Sequence, residues 1–187
     1  MGLLDIVDEQ DNVISKEDFT KVHSEGLRHR SVQIFVFEYP DYRYPSRLLV
    51  AQRSAKQETS SLKLHPSAGG HVRSGQSYEE AVIEEAREEL FYDKNELPRG
   101  FIFHKVGKLF EAHMPFYKND TRPTNKENSV LFLTEYSGPF SPDPKEIEKV
   151  FWQDPEEVFN DMKSNPDKYT QSFKNAMTHY MFSIHSD

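Results

Sequence analysis

The sequence predicts an α/β (α+β) fold, in which a mixed β-sheet is covered by a few helices. Short runs rich in β-branched and aromatic residues, of which 31–38 is the clearest, indicate strands. A glycine-rich stretch that starts at Gly69 leads into one central helix rich in glutamate, and two further helical patterns close the chain. Strands interspersed with single helices in this way indicate a sheet with helices on its faces.

The predicted elements follow one another closely along the chain. Strands are predicted at 3–7, 13–14, 31–38, 48–53, 101–110, 129–136 and 148–152. Besides the central helix, helices are predicted at 15–24, 155–162 and 169–184. Three polar or proline-containing stretches are predicted to be loops, at 39–46, 55–64 and 117–128.

The chain is expected to form a single domain over residues 1–187. Its length is typical of one domain and is sufficient for a sizeable core. Within that domain we expect an N-terminal hairpin and short helix over 1–30, a glycine loop and helix over 69–92, and C-terminal helices over 154–187.

Composition excludes several classes of function. The net charge of −8 argues against a broad nucleic-acid-binding surface, which needs clusters of basic residues. Because the chain has no cysteine, disulfides, thiolate metal sites and a cysteine nucleophile are excluded, and a reducing, cytoplasmic location is expected. No apolar run reaches membrane-spanning length, and the acidic N-terminus does not resemble a signal peptide.

The central helix has a well-defined predicted start. Ser77 and Glu80 form the sequence pattern of a capping box, in which each side chain accepts the other residue's backbone N–H. Ile83, Ala86 and Leu90 then form an apolar stripe, which we expect to face the core.

An acidic face lies beside that stripe. Glu85, Glu88 and Glu89 are spaced i, i+3 and i+4 and therefore share one side of the helix. Like-charged pairs at i, i+4 each destabilise a helix by roughly 0.2–0.5 kcal/mol. A divalent cation such as Mg²⁺ would turn this repulsion into attraction, because hard cations take carboxylate oxygens. The alternative is a solvated acidic surface without a ligand.

The stretch 69–92 resembles the Nudix box, the signature of the Nudix hydrolase superfamily. The box is glycine, five residues, glutamate, seven residues, and then arginine, glutamate, an apolar residue, any residue, two glutamates, any residue, glycine and an apolar residue. Gly70 opens the match, and Glu85, Glu88 and Glu89 fall in register. The resemblance implies an α/β/α sandwich with a mixed sheet, and it implies that these glutamates bind catalytic Mg²⁺ or Mn²⁺. It adds the backbone carbonyl of Gly69 as a further metal ligand.

Three positions depart from the box. Gln76 stands at the first glutamate, Glu84 at the arginine and Phe91 at the glycine. In the family that glutamate and arginine tend to pair and brace the loop against the helix. Losing both at once removes the pair without stranding a buried charge, which would be the costly outcome. Phe91 requires the helix to end without a left-handed glycine.

The flanking sequence resembles the branch of the superfamily related to isopentenyl diphosphate isomerase. His29 and His71 match positions where the isomerase has metal-ligating histidines, and His23 is displaced by one residue. The isomerase also uses a catalytic cysteine where this chain has Gly69, so isomerisation is not expected. Ordinary surface or hydrogen-bonded roles remain the alternative for the histidines.

Other residues are candidates for supporting roles. The resemblance implies a fourth metal carboxylate outside the box, for which the candidates are Glu127 and Glu146, with Glu111 behind them. The cations that could hold phosphates are Arg53, Lys63 and Arg73. The aromatic residues and the loop at 117–128 are expected to bind the moiety attached to the diphosphate.

The expected activity is metal-dependent hydrolysis of a phosphoanhydride bond in an organic diphosphate, such as a nucleoside diphosphate linked to another moiety. The expected partner is therefore a small-molecule diphosphate, with no stable nucleic-acid binding and no membrane binding, and a homodimer is left open. One alternative is a Nudix-fold module that binds a nucleotide or a protein without turnover. Another is an interaction protein that uses its acidic face and has no metal affinity.

Overall fold

The computed structural model describes residues 2–39, 46–114 and 125–184. Its strands are β1 (Leu3–Val7), β2 (Val13–Asp18), β3 (His29–Glu38), β4 (Arg47–Arg53), β5 (Leu64–His65), β6 (Ala68–His71), β7 (His104–Met114), β8 (Asn125–Glu135) and β9 (Ile147–Gln153). Its α-helices are α1 (Phe19–Glu25), α2 (Tyr78–Leu90), α3 (Pro155–Ser164) and α4 (Gln171–Ile184). Within the described ranges, no helix combines the length and the apolarity needed to cross a bilayer.

Strand β3 is the centre of a mixed sheet. It runs parallel to β8 and antiparallel to β1, β4 and β6. The outer strands extend this arrangement, with β2 on β1, β5 and β9 on β4, and β7 on β8. The predicted mixed sheet is thus confirmed, and its register brings His29 beside Glu127 and Gln33 beside Gly69.

Helices cover both faces of the sheet. Because side chains alternate along a strand, Val32 and Ile34 of β3 point to one face and Phe35 to the other. The first face packs on α2 and the second on α3 and α4, in two separate apolar clusters. The predicted layers, with the glutamate helix on one side of the sheet and the C-terminal helices on the other, are confirmed.

The predicted N-terminal hairpin is present, but the helix after it begins later than predicted. The prediction of a helix from residue 15 is wrong, because 15–18 continue β2 and pair with β1. Asp18 then caps α1 by accepting the backbone N–H of Lys21 at 3.1 Å. The helix ends, as predicted, at Gly26, whose φ of 64° suits glycine.

Parts of two predicted loops lie outside the described residues. These parts are 40–45 and 117–124, which belong to the predicted loops at 39–46 and 117–128. The prediction of a loop is wrong for 125–128, which form the start of β8 and pair with both β3 and β7. The division of the chain into a single domain with the expected boundaries stays a prediction.

Candidate active site

Helix α2 begins with the predicted capping box. The Ser77 hydroxyl accepts the backbone N–H of Glu80 at 3.1 Å, and the Glu80 carboxylate accepts the backbone N–H of Ser77 at 2.8 Å. At the other end Phe91 caps the helix by donating its N–H to the carbonyl of Arg87 at 3.2 Å. Its ring is buried against the rings of Phe101, Tyr136 and Phe140. An aromatic anchor therefore ends the helix where the box has glycine.

The apolar face of α2 is rotated relative to the predicted stripe. Val82, Ala86 and Leu90 are buried, whereas Ile83 is 51 % exposed. The expectation that Ile83 faces the core is therefore wrong. The same rotation brings the carboxylates of Glu85 and Glu89 close to β6.

Two of the three box glutamates lie directly against the glycines of β6. The backbone N–H of Gly69 donates to Oε2 of Glu89 at 3.3 Å. A Cβ built on Gly70 would lie 2.4–2.5 Å from the carboxyl atoms of Glu85, so only glycine leaves room for this carboxylate. Glu88 is more open and lies 3.1 Å from Arg87, with its side chain 43 % exposed. The prediction that Gly69 and Gly70 lie in a loop is wrong, because both pair with β3 as part of β6. Strand β6 and the acidic helix thus form one compact unit.

The electrostatics of these carboxylates are unfavourable without a cation. Burial raises the pKa of Glu85 to about 7, with repulsion from Glu88 as the next cause. Burial also raises the pKa of Glu89 well above its usual range, followed by repulsion from Glu85 and Glu146. Arg73 and Arg53 offset this only in part. Crowded carboxylates that repel one another provide the oxygen donor set preferred by Mg²⁺ or Mn²⁺.

Of the candidates for a fourth carboxylate, Glu146 lies near the box. Its charge acts on both Glu85 and Glu89. Its own carboxylate accepts the side-chain N–H of Gln57 at 2.7 Å, and Gln57 in turn accepts Arg53 at 2.7 Å. Gln57, which lies in the predicted polar loop at 55–64, therefore holds Glu146 in place.

The other candidates have different partners. Glu111 forms an ion pair with Arg28. Glu127 lies among histidines, with its carboxylate 3.8 Å from both His29 and His71. Lys63 lies near Lys174 of α4, and Lys63 helps to lower the pKa of Lys174, after burial as the larger cause.

The two replaced box positions still contact each other. Gln76 donates its side-chain N–H to Glu84 at 2.8 Å, and Arg73 donates to the same carboxylate at 2.5 Å. Gln76 also accepts the backbone N–H of Arg73 at 3.0 Å. The contact that braces the loop against the helix is thus retained. Its cation is Arg73 of the loop, whereas the box has an arginine on the helix, at the position of Glu84.

Three histidines form a second cluster close to β6. The nearest ring nitrogens of His23, His29 and His71 all lie within 4.8 Å of one another, and Nε2 of His23 is 3.2 Å from Nε2 of His71. Glu127 adds a carboxylate, which also accepts the side-chain N–H of Asn125 at 2.6 Å. His23, which matches the isomerase histidines least well by sequence, therefore belongs to the same cluster as His29 and His71.

The ring orientations leave nitrogen lone pairs inside this cluster. His23 and His29 direct Nδ1 at the backbone carbonyls of Phe19 and Leu27, at 2.8 and 2.9 Å, so Nδ1 carries the proton and Nε2 of each ring faces the cluster. Nε2 of His29 is buried without a hydrogen-bond partner in the described residues. Burial lowers the pKa of His23 and lowers that of His71 well below its usual range. Imidazoles whose Nδ1–H is held by a backbone carbonyl are typical metal ligands.

The two clusters lie on opposite sides of β6. Gly70 faces α2 and Glu85, as the contact at its missing Cβ indicates. His71, the next residue, therefore points to the other face, where His29 lies. One short strand thus separates the carboxylate cluster from the histidine cluster.

Comparison with known proteins places the chain in a family. Residues 27–173 match the model of the NUDIX domain. An uncharacterized Nudix hydrolase of Yersinia pestis is 33 % identical over 155 residues, which cover 83 % of this chain and 74 % of that protein. An isopentenyl-diphosphate Delta-isomerase of Serratia proteamaculans is 28 % identical over 175 residues, covering 94 % of this chain and 89 % of that protein.

Solved structures agree at the level of the fold. A Deinococcus radiodurans crystal structure aligns with a TM-score of 0.66 and 23 % identity, covering 87 % of this chain and 90 % of that one. The NUDIX domain of Shewanella oneidensis NrtR, solved in complex with ADP ribose, aligns with a TM-score of 0.55 and 15 % identity, covering 90 % of this chain and 94 % of that one. Family model, relatives and fold agree, and the chain therefore belongs to the Nudix family, as a hydrolase acting on pyrophosphate bonds.

Proposed function

We propose that the protein hydrolyses a phosphoanhydride bond in an organic diphosphate in a divalent-metal-dependent reaction. The observation that carries the proposal is the crowding of Glu85 and Glu89 against the glycines of β6, with the charges of Glu85, Glu89 and Glu146 repelling one another. Such a site is costly for a protein that binds no cation, because each half-buried carboxylate loses part of its hydration and repels its neighbours. The expected substrate is a nucleoside diphosphate linked to another moiety.

The proposed metal ligands are Glu85, Glu88 and Glu89, with Mg²⁺ or Mn²⁺ as the ion. The Gly69 carbonyl is included on the resemblance alone. When bound, the ion supplies charge neutralisation at the phosphates and a more acidic water. Oxygen ligands on one helix face and a neighbouring strand suit either cation.

The remaining groups of the site orient the reactants and handle a proton. Glu146 is the candidate general base outside the helix, because it stands beside the box carboxylates and is fixed by Gln57. Arg73 is 53 % exposed and lies 3.7 Å from Glu88, so its guanidinium can contact a phosphate at the edge of the site. Positioning and charge stabilisation account for most of the expected rate enhancement.

A panel of diphosphates tests the proposal. Nucleoside triphosphates, ADP-ribose, sugar nucleotides, dinucleoside polyphosphates, coenzyme A and prenyl diphosphates would be incubated with Mg²⁺, with Mn²⁺ and with chelator. We expect release of a phosphate-containing product from at least one compound, only when metal is present. Binding of a compound without turnover would favour the alternative of a catalytically inactive nucleotide-binding module, for which the replaced residues Gln76 and Glu84 are the best argument.

A first mutational prediction separates the two candidate carboxylates. Glu146→Gln is expected to lower metal-dependent turnover by about 10-fold or more, because it removes a charged group next to the proposed ligands. Glu127→Gln is the matched control and is expected to leave the Mg²⁺ concentration for half-maximal rate unchanged, since Glu127 lies in the histidine cluster. A larger loss of metal-dependent turnover in Glu127→Gln than in Glu146→Gln, measured by steady-state kinetics, would contradict the assignment.

We also propose that His23, His29, His71 and Glu127 bind a second metal ion. Imidazoles with one carboxylate suit Zn²⁺ and similar ions better than Mg²⁺. This is the arrangement that the resemblance to the isomerase branch implies for the histidines. The absence of cysteine keeps isomerisation outside the proposal.

Thermal unfolding with Zn²⁺ tests this second site. A ligand at 100 times its dissociation constant stabilises the folded protein by about 2.7 kcal/mol, so the melting temperature should rise clearly with Zn²⁺. The rise is expected to disappear in His29→Ala and to persist in His104→Ala, which removes an exposed histidine of β7. An equal rise in wild type and His29→Ala would contradict the site.

A further inference from the structure

The N-terminal hairpin contacts the loop that precedes the glutamate helix. Residues 3–7 lie before the part of the chain that matches the family model, which begins at residue 27. Leu4 nevertheless forms an antiparallel bridge with Arg73, and Ser74 donates its backbone N–H to the carbonyl of Leu3 at 2.8 Å. Strand β1 therefore forms an additional edge for the loop at 73–76.

Asp5 is the side chain that makes this contact specific. Ser74 donates its hydroxyl to Oδ1 of Asp5 at 2.6 Å, and Gly75 donates its backbone N–H to Oδ2 at 3.0 Å. The residue is only 9 % exposed. Both carboxylate oxygens are thus directed at two successive residues of the same loop, and hydrogen bonds to a charged acceptor are stronger than neutral ones.

The loop needs such a support because of its own conformation. Gly75 has φ of 79°, a conformation that glycine adopts but does not by itself enforce. The turn closes with a hydrogen bond from Gln76 N–H to the Arg73 carbonyl at 3.0 Å. This turn directs Arg73 and Gln76 at Glu84, and Arg73 also toward Glu88. A shift of the turn would therefore be transmitted to the acidic face of α2.

We propose that Asp5 is a positioning residue for the metal-binding carboxylates. It acts through Ser74 and Gly75 on the turn, and the turn acts through Arg73 and Gln76 on α2. The Gln76–Glu84 contact lacks the opposite charges that the box provides, and the cation on Glu84 is instead Arg73 of the turn that Asp5 holds. The inference rests on the proposed function, because it assumes that the box carboxylates bind a divalent ion.

Mn²⁺ titration of three full-length variants tests the role of Asp5. Asp5→Ala removes both acceptors, whereas Asp5→Asn keeps one amide oxygen and nearly the same shape. Asp154→Ala is the matched control, because Asp154 also accepts two N–H groups, from Glu156 and Glu157, but at the start of α3. Calorimetry and the Mn²⁺ dependence of turnover would be measured together with the melting temperature of each variant.

The expected result is a split between affinity and stability. Asp5→Ala should lower the affinity for Mn²⁺ at the box carboxylates by about 10-fold or more, the effect typical of groups that orient metal ligands. A fourth variant, Glu89→Gln, identifies that site because it removes one of the proposed ligands. Asp5→Asn should lie between Asp5→Ala and wild type. Asp154→Ala should lower the melting temperature and leave Mn²⁺ affinity unchanged.

The outcomes that overturn the inference are distinct from failure of the proposed function. If both Asp5 variants bind Mn²⁺ as tightly as wild type, Asp5 has no positioning role. If Asp5→Ala does not fold, the same result for Asp5→Asn alone leads to that conclusion. If wild type binds no Mn²⁺ at the box, the proposed function fails and takes the inference with it. The first result concerns the variants only, whereas the second appears in the wild-type protein.

Discussion

Glu89→Gln is expected to abolish metal-dependent turnover and to stabilise the metal-free protein. The substitution keeps an oxygen that can accept the Gly69 N–H but removes one half-buried acidic group from the carboxylate cluster. Loss of a metal ligand should reduce turnover by at least roughly 100-fold, the upper end of the effect for groups that only support the ligands. Removal of the repulsion from Glu85 and Glu146 should raise the free energy of unfolding without metal.

The stabilisation by Glu89→Gln should depend on pH. A carboxyl group whose pKa is higher in the folded than in the unfolded protein favours folding when protonated, and this stability is lost as the pH rises through that interval. For Glu85 the interval runs from its ordinary value of 4.5 to about 7. The pKa of Glu89 is raised in the same direction. The metal-free wild type should therefore lose stability as the pH rises from about 4.5 to about 7, and Glu89→Gln should lose less.

Urea unfolding at pH 5 and pH 8 in the presence of chelator measures this difference. The matched control is Glu79→Gln, an exposed glutamate in the first turn of the same helix, which should leave turnover and the pH dependence nearly unchanged. Full metal-dependent turnover in Glu89→Gln would contradict the assignment of Glu89 as a ligand. An identical pH dependence in wild type and Glu89→Gln would contradict the raised pKa.

Alanine at Gly70 is expected to lower turnover while leaving the protein folded. The added Cβ would lie 2.4–2.5 Å from the carboxyl atoms of Glu85. Because these atoms are the far end of a flexible side chain, the carboxylate can move away at little cost to the fold. It then leaves the position it shares with Glu89, and turnover should fall by about 10-fold or more, as expected for a misplaced metal ligand.

Alanine at Gly69 provides the contrast. There the Cβ would lie 2.6 Å from the backbone carbonyl of Val32, so strands β3 and β6 would have to separate. We expect Gly69→Ala to destabilise the protein by about 1–3 kcal/mol, the usual cost of overpacking a core. Melting temperatures and Mg²⁺-dependent kinetics of both variants test the pair. Unchanged Mg²⁺ dependence in Gly70→Ala would contradict the role of Glu85.

The parts of the site that sequence analysis predicted are those encoded by short-range patterns. The capping box at Ser77 and the shared face of Glu85, Glu88 and Glu89 depend on residues within one or two helical turns. The rotation of α2 about its axis does not, because it is set by packing against β3. Ile83 and Val82 are adjacent apolar residues, and the sequence does not indicate which one the sheet covers.

The histidine cluster illustrates what tertiary structure adds. Its members come from α1, β3 and β6, and Glu127 from β8, so their proximity depends on the pairing of β3 with β6 and β8. In the sequence, His23 is displaced by one residue from the position of the isomerase histidine. In the structure, α1 nevertheless places its ring beside His71. In the same way Glu127 and Glu146 could not be distinguished by sequence, because Glu146 reaches the box through the pairing of β9 with β4.

The most direct test of the account is the location of bound Mn²⁺ by anomalous diffraction from crystals of the wild-type protein. We predict a peak in contact with carboxylate oxygens of Glu85 and Glu89, at a metal–oxygen distance of about 2.0–2.3 Å. A second peak within the histidine cluster is compatible with the proposal of two sites. Crystals in which the histidines alone hold the ion, with the box carboxylates empty at saturating Mn²⁺, would contradict the claim that these glutamates form the metal site of the hydrolase.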